Sequence, residues 1–314
     1  MSILVIGESL IDSVVADGEN TRSSPGGSPM NVAVGLSRLG HDVTFATQIG
    51  EDADGEMIVD CLGRETLTVI NEPGERTSRA HATVKSDGSA DYRFDITWDL
   101  RLDRLHSRAA LRTAGMVHTG SLGAHFPPGG SQVLREVMAR AGRSVISYDP
   151  NCRPSILADR AATRYEAEQF ASVSDVVKAS DEDLRWLYPD SSLGDVLEQW
   201  IRAGVGLMVI TRGSDNALAG TASGIRLSSA SDRVEVLDTI GAGDSYMAAL
   251  LSELQLLGVR GPTGRSALDA LSRDELATVM TRAAAAAAIT CSRAGANPPS
   301  RAELDSYIVD SPHP

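Results

Sequence analysis

Short apolar runs that alternate with helical segments constrain the fold of this chain more than any other feature of its sequence. Six such runs have the composition of strands. They cover residues 3–7, 42–49, 116–118, 145–148, 176–178 and 207–210. After the first run, apolar residues recur at helical spacing from Pro29, which is typical of a helix start, to Gly40, which is typical of a helix end. Strands that alternate with helices predict a parallel α/β sheet covered by helices on both faces.

Residues 79–95 break this alternation. Two short β segments, 81–84 and 92–94, flank a turn at 87–89, which predicts a β-hairpin. Such a hairpin is either a lid over a ligand site or an edge of the sheet, and the sequence alone favours neither. Because no repeat or linker divides the chain, we expect one domain over residues 1–314, with the hairpin as a small lid.

The net charge of −13 at pH 7 limits the partners of the protein. It argues against nucleic-acid binding, which needs a basic surface. For an anionic ligand, local cations, backbone dipoles or Mg²⁺ must offset the overall charge. The cysteines, Cys61, Cys152 and Cys291, form no paired motif, and no apolar run approaches the length of a membrane span. We therefore expect a soluble protein of the reducing cytoplasm, without a membrane partner.

A glycine-rich turn at residues 238–246 carries the most specific chemistry in the chain. Gly241 and Gly243 leave backbone N–H groups open to an anion, and the helix predicted to begin near Gly243 adds its positive end. Asp244 would lie in the first turn, where its carboxylate could take a proton from a hydroxyl. By itself, the string is equally compatible with a loop closed by a helix-capping aspartate.

Three other phosphate- or nucleotide-binding patterns are absent from the sequence. The lysines, Lys85 and Lys178, do not follow a glycine, so there is no Walker A loop. Neither His-Arg-Asp nor Asp-Phe-Gly occurs, which excludes the protein-kinase pattern. Tyr246 occupies the place of the last glycine of a dinucleotide fingerprint, which disfavours an oxidoreductase. The glycine-rich turn therefore predicts a phosphate site of another kind.

Two separated motifs resemble the signatures of one family. Residues 26–33, with the sequence GGSPMNVA, resemble the first signature of the PfkB-type (ribokinase-like) sugar kinases, and residues 238–250 resemble the second. The strings at 149–153, 211–213 and 291–296 also agree, so the resemblance covers the whole chain. It implies the ribokinase-like fold, a three-layer α/β/α Rossmann-like sheet with a small β lid.

The resemblance implies roles for individual residues. Asp244 resembles the base that takes the proton of a sugar hydroxyl, and Gly241, Ala242 and Gly243 resemble the anion hole for the transferred phosphoryl group. Positions that hold sugar hydroxyls or approach the phosphate in the family are matched by Asp12, Gly27, Asn31, Asn151 and Arg153. Without the resemblance, a tight turn would be preferred for Gly27 and local capping for Asn31.

The same resemblance assigns residues to the nucleotide. Contacts are implied for Lys178, Ser180, Thr211, Gly213, Gly241 and Gly243, although Lys178 alone is as well explained as a solvated surface lysine. Many relatives carry Asn-x-x-Glu where this chain has residues 180–183, so Asp183 is the candidate carboxylate for Mg²⁺. Residues 238–240 with 295–296 resemble the loop that binds a monovalent cation such as K⁺ in some members.

Together, these matches predict ATP- and Mg²⁺-dependent phosphorylation of a free sugar. The strings at 26–31, 149–153 and 291–296 look most like those of bacterial fructokinases, which favours fructose. The alternative within the family is a 2-keto-3-deoxygluconate kinase, with Arg93 or Arg153 to hold an acid, and ribose ranks lower. A catalytically weak sugar-binding sensor is the alternative from another class. Because lid strands often pair between subunits in this family, the resemblance also implies a homodimer.

Overall fold

A computed structural model describes residues 1–16, 20–84, 90–102, 112–229 and 234–310. The described strands, numbered along the chain, are β1 Ile3–Ile6, β2 Leu10–Ala16, β3 Asn20–Gly26, β4 Val43–Gly50, β5 Thr68–Gly74, β6 Ser78–Val84, β7 Ala90–Asp95, β8 Met116–Gly120, β9 Val145–Asp149, β10 Val176–Ser180, β11 Leu207–Arg212, β12 Asp215–Thr221 and β13 Arg226–Ser229. The described helices are α1 Ser28–Arg38, α2 Ala53–Leu62, α3 Ser121–His125, α4 Gly129–Met138, α5 Arg160–Ser172, α6 Asp181–Leu187, α7 Leu193–Arg202, α8 Ala242–Leu256, α9 Gly264–Asp269, α10 Arg273–Cys291 and α11 Arg301–Asp310, with a 3₁₀ turn at Gly261–Thr263.

The main sheet confirms the predicted α/β architecture. Its described strands follow the order β13-β12-β11-β10-β9-β8-β1-β4-β5. The seven strands from β11 to β5 are parallel, and β12 and β13 add an antiparallel edge. All six strands predicted from apolar runs belong to this sheet, because buried parallel strands are apolar on both faces.

Helices cover both faces of the sheet. Ile3 and Val5 of β1 join one buried cluster with α1, α8 and α10, whereas Leu4 and Ile6 join another with α4, α5 and α7. This division follows from the alternation of side chains along a strand. None of the described helices combines the length and the apolar composition that a membrane span requires.

Helices α1 and α8 lie close together on the first face. A Cβ on Gly35 would lie only 2.7 Å from the Cβ of Ala248, so the glycine lets the two helices approach. Helix α8 also packs against α10, whose buried residues include four alanines. This packing brings the first turns of α1 and α8, which carry the two signature motifs, to the same side of the molecule.

A second sheet has the strand order β3-β2-β6-β7. Strands β6 and β7 pair antiparallel from Arg79 opposite Asp95 to Val84 opposite Ala90, and the turn predicted at 87–89 lies outside the described residues. The sheet is larger than the predicted hairpin, because β2 and β3 form its other half. Polar residues dominate β3, whose pairing comes from backbone hydrogen bonds to β2, so its sequence lacks the apolar signal of a buried strand.

Candidate active site

The first turn of α8 is open to an anion. Gly241 precedes it with φ 76°, and a Cβ there would lie 2.6 Å from the Cβ of Ala296, so the position requires glycine. No side chain caps the helix, and Gly243 is exposed. The first N–H groups of a helix lack intrahelical partners and carry the positive end of its dipole. The geometry therefore supports the predicted anion hole at 241–243.

Two donors from α1 hold the carboxylate of Asp244. Ser28 Oγ donates to Oδ1 at 2.6 Å, and Asn31 Nδ2 donates to Oδ2 at 2.8 Å. Asp244 stays partly exposed, and each of its oxygens has a second lone pair. The two sequence motifs thus meet at one carboxylate, which can still accept a proton from a ligand.

Gly27 determines how α1 presents these donors. It has φ 112°, and a Cβ on it would lie 2.7 Å from the carbonyl oxygen of Glu8. Its own carbonyl accepts the N–H of Asn31 at 2.9 Å. Any side chain here would push the start of α1 away from the end of β1. The structure therefore gives Gly27 a turn role, and its contact with a sugar stays a prediction.

Asp12 of β2, Arg153 and Asp244 act electrostatically on one another. Burial raises the pKa of Asp12 to about 6, with Arg153 lowering it and Asp244 raising it. Asp12 Oδ2 lies against Gly26, so the second sheet places Asp12 beside the start of α1, which holds the carboxylate from α8. Three residues predicted to bind sugar or act on it therefore converge.

Two residues that follow neighbouring strands have positive φ although neither is glycine. Ser121 follows β8 with φ 54°, and Asn151 follows β9 with φ 39°. Asn151 Nδ2 donates to Ser121 Oγ at 3.2 Å, and Arg153 Nη1 donates to Asn151 Oδ1 at 2.7 Å. Non-glycine residues with positive φ are uncommon and cluster at functional sites, which supports the sugar site predicted for Asn151 and Arg153.

Glu8, directly beyond β1, is a buried carboxyl at this edge of the sheet. Its Oε2 accepts the N–H of Gly123 at 2.7 Å. Burial raises its pKa to about 7, against the opposing effects of backbone N–H groups, Ser121 and Arg153. Glu8 therefore changes its charge near neutral pH, next to the residues predicted to hold the sugar.

We expect replacement of Glu8 by glutamine to stabilise the protein at alkaline pH relative to acidic pH. Because the folded-state pKa lies above the ordinary value of 4.5, Glu8 stabilises the fold below that value and loses this contribution as pH rises through about 7. The loss amounts to as much as about 3 kcal/mol. In urea unfolding, the free energy of unfolding of Glu8→Gln relative to that of the wild type should be higher at pH 8 than at pH 5.

Glu51, which is exposed, provides the control for this experiment. Glu51→Gln should change stability little at either pH, because the Glu51 side chain is exposed. An equal effect of Glu8→Gln at pH 5 and pH 8 would contradict the assigned burial effect.

Lys178 is buried, not solvated, and lies under the start of α8. Its Nζ is 3.5 Å from the point that a Cβ on Gly243 would occupy, and 2.8 Å from Asp149 Oδ2. Burial disfavours its charge, but Asp149, Asp244 and Asp183 together outweigh this and raise the pKa of Lys178. Burial also raises the pKa of Asp149 to about 6, with Lys178 opposing. The pair is therefore ionised at neutral pH, with its ammonium group beside the anion hole.

Ser180 and Asp183 form the cap of α6. Ser180 Oγ donates to Asp183 Oδ2 at 2.7 Å, and Asp183 Oδ1 accepts the N–H of Cys152 at 2.7 Å. Both side chains are thus engaged within the protein, so the cofactor and metal roles given to them stay predictions. Thr211 lies opposite Ser180 on β11, and Gly213 forms the next turn with φ 55°.

Asp238 joins the two segments that resemble a cation loop. Its Oδ1 accepts the N–H of Ile240 at 3.0 Å, and its Oδ2 accepts the N–H of Gly295 at 2.8 Å. The two segments therefore lie together in the structure, whereas binding of K⁺ stays a prediction.

Glu8, Ser28 and Asp149 belong to this arrangement, although no sequence motif indicated a site role for them. Glu8 and Asp149 come at or just after the ends of parallel strands, where ligands of α/β proteins gather, and that placement was a usable signal. Ser28 lies inside the first motif, but nothing in its local sequence indicates a bond to a residue 216 positions away.

Comparisons with known proteins agree with this geometry. The sequence model of the pfkB family carbohydrate kinases matches residues 1–303. A probable fructokinase-4 of Arabidopsis thaliana is 32% identical over 98% of this chain and 96% of its own length. A fructokinase of Rhizobium leguminosarum bv. trifolii is 33% identical over 81% of this chain and 80% of its own length.

Solved structures share the fold. A fructokinase from Xylella fastidiosa with bound ATP has a TM-score of 0.87 at 23% identity, over 98% of both chains. A putative ribokinase II from E. coli has a TM-score of 0.80 at 21% identity, over 99% of both chains. These likenesses identify the fold as ribokinase-like. Because the family model covers nearly the whole sequence and its two motifs meet at Asp244, the chain belongs to the pfkB family of carbohydrate kinases and is a sugar kinase.

Proposed function

We propose that the protein is an ATP-dependent fructokinase. The observation that carries this proposal is the position of Asp244, in the first turn of α8 and between two donors from α1, with the ammonium group of Lys178 below the same turn. A base, an anion hole and a buried cation are the elements that phosphoryl transfer needs.

In the proposed phosphoryl transfer, each of these residues has its own role. Asp244 takes the proton of a sugar hydroxyl as the hydroxyl oxygen forms a bond to the γ-phosphorus of ATP. The bond from that phosphorus to the bridging oxygen breaks, and its electron pair leaves with ADP. The N–H groups at 241–243 and Lys178 stabilise the charge on the transferred group. The products are a sugar phosphate and ADP.

The charges around Arg153 favour a neutral sugar over a sugar acid. Arg153 donates to Asn151, and the carboxyls of both Glu8 and Asp12 interact with its charge. The neighbouring carboxyls offset the attraction of Arg153 for an anion. The carboxylate of 2-keto-3-deoxygluconate would therefore gain less from this arginine. Fructose is the neutral sugar that we propose, because the relatives named above are fructokinases.

The test is an ADP-release assay with fructose, glucose, ribose and 2-keto-3-deoxygluconate, paired with thermal shifts for each sugar. We expect fructose to give the highest kcat/KM. A higher kcat/KM for 2-keto-3-deoxygluconate than for fructose would show that the protein is a 2-keto-3-deoxygluconate kinase instead. A sugar that raises the melting temperature without ADP release would identify a sensor instead, and would contradict the proposed activity.

The residues present fit a metal ion held mainly by the nucleotide. No cluster of three metal-ligating side chains occurs in the described part of the chain. Asp149 Oδ1 is buried and makes no hydrogen bond there, so it could reach Mg²⁺ directly or through water, as carboxylates of kinases do. We propose that Asp149 contributes to this site, for which Asp183 was the sequence candidate. The ion would offset phosphate charge.

We also propose that K⁺ binds at Asp238. The dependence of activity on K⁺ concentration at constant ionic strength tests this proposal.

We also propose that the second sheet is a lid. Asp12 projects from β2, and the sheet is tied to α2 where Thr77 donates to Asp52 and Arg79 pairs with Asp54. Fructose should therefore slow amide exchange in β6 and β7, while β5, an edge strand of the main sheet, stays unchanged. Equal exchange in β6 and β7 with and without fructose would contradict closure.

A homodimer through this sheet is a further proposal, since exposed sheet edges pair readily. Sedimentation that returns only the monomer mass of 33.1 kDa would contradict it.

A further inference from the structure

Ser28 is the first residue of α1, and its hydroxyl is not used at its own helix end. The N-cap position of α1 is Gly27, and no side chain caps this helix. Ser28 Oγ instead donates to Asp244 Oδ1 at 2.6 Å, across 216 residues of sequence. Ser28 is buried, so water competes little for this bond.

The bond completes a two-sided hold on the carboxylate. Asn31, one helical turn later on α1, occupies the other oxygen at 2.8 Å. Each donor constrains one oxygen, so together they fix the rotation of the carboxylate plane. A hydrogen bond to an ionised acceptor is stronger than one between neutral groups, and the short Ser28 distance is typical of that class.

We propose that Ser28 is a positioning residue for phosphoryl transfer, which keeps Asp244 in one orientation toward the sugar hydroxyl. This inference rests on the proposed function of Asp244 as the base. Asn31 could contact the sugar through its amide oxygen, which its bond to Asp244 leaves unused, whereas the single hydrogen of Ser28 is committed to Asp244. Ser28 therefore donates to the base and has no hydrogen left to donate to the substrate.

The test compares kcat and KM of Ser28→Ala with those of the wild type, using ATP and the best sugar of the panel. Loss of a hydrogen bond to a charged group predicts a fall in kcat of about 10-fold, with both KM values within about 2-fold. Ser144→Ala is the control, because Ser144 is also buried but its Oγ donates to the carbonyl of Ala114. It should retain the kcat of the wild type.

A double-mutant cycle separates positioning from a general structural effect. In the Asp244→Asn background, Ser28→Ala should change the residual kcat by less than about 2-fold, because there is no longer a base to orient. An equal fall in both backgrounds, an unchanged kcat in the single variant, or a rise in sugar KM alone would each overturn the inference. If the wild type prefers another sugar to fructose, the proposed substrate fails and the cycle is run on that sugar. If no sugar on the panel is phosphorylated, both proposals fail.

Discussion

Replacement of Asp244 by asparagine should abolish nearly all sugar phosphorylation while leaving the fold intact. A positioned general base contributes about 100- to 10,000-fold, and we expect kcat to fall by about 1,000-fold or more. Asparagine has the shape of aspartate, and its amide oxygen can still accept the bond from Asn31. The ADP-release assay measures the loss, and the thermal shift with fructose should show that the variant still binds sugar.

Asp274 provides the control for the Asp244 experiment. Like Asp244, it lies in the first turn of a long helix, α10, but it is exposed. Asp274→Asn should therefore retain the activity of the wild type. If Asp244→Asn keeps more than about a tenth of the kcat, general-base catalysis by this residue is wrong.

The part of the fold that could be predicted from the sequence is the part with an apolar pattern. The strands from β8 to β11 were found because parallel strands buried on both faces are apolar without interruption. The strands β2 and β3 were missed because their pairing depends on backbone hydrogen bonds and their side chains alternate little.

The site also contains residues that local sequence could identify and residues that it could not. Gly241 and Asp244 could be placed from local sequence, because an anion-binding helix start is built from consecutive residues. The bond from Ser28 and the burial of Lys178 could not, since both depend on the packing of α8 against α1 and β10. Lys178 was equally compatible with a surface position because a strand-end lysine has no local mark that shows what covers it.

The electrostatics of the site also became visible only in three dimensions. Asp149, Asp183 and Asp244 act on Lys178, and the chain as a whole carries a charge of −13. An anionic nucleotide approaching these carboxylates needs a fixed cation at the point of transfer. We propose that Lys178 fills this place, and the carboxylate of Asp149 maintains its charge in a buried position.

Replacement of Lys178 by methionine should therefore damage stability and activity together. The buried carboxylate of Asp149 would lose its partner, which costs about 3–5 kcal/mol of unfolding free energy. The anion hole would lose its cation, which should lower kcat/KM for ATP by about 100-fold or more. Urea unfolding measures the first effect, and the ADP-release assay below the melting temperature measures the second.

A second substitution can separate these two losses. In Asp149→Asn/Lys178→Met the buried charges are both absent, so most of the stability should return, since buried ion pairs contribute little net stability over neutral replacements. Activity should not return, because the cation beside Gly243 is still missing and the carboxylate proposed for the metal site is lost as well. Arg185→Met is the control for loss of an ion pair in the same region. Arg185 pairs with Asp181, and its side chain is exposed. This change should alter the free energy of unfolding by less than about 1 kcal/mol. Recovery of activity in the double variant would show that Lys178 serves only to neutralise Asp149, and would remove it from the phosphate site.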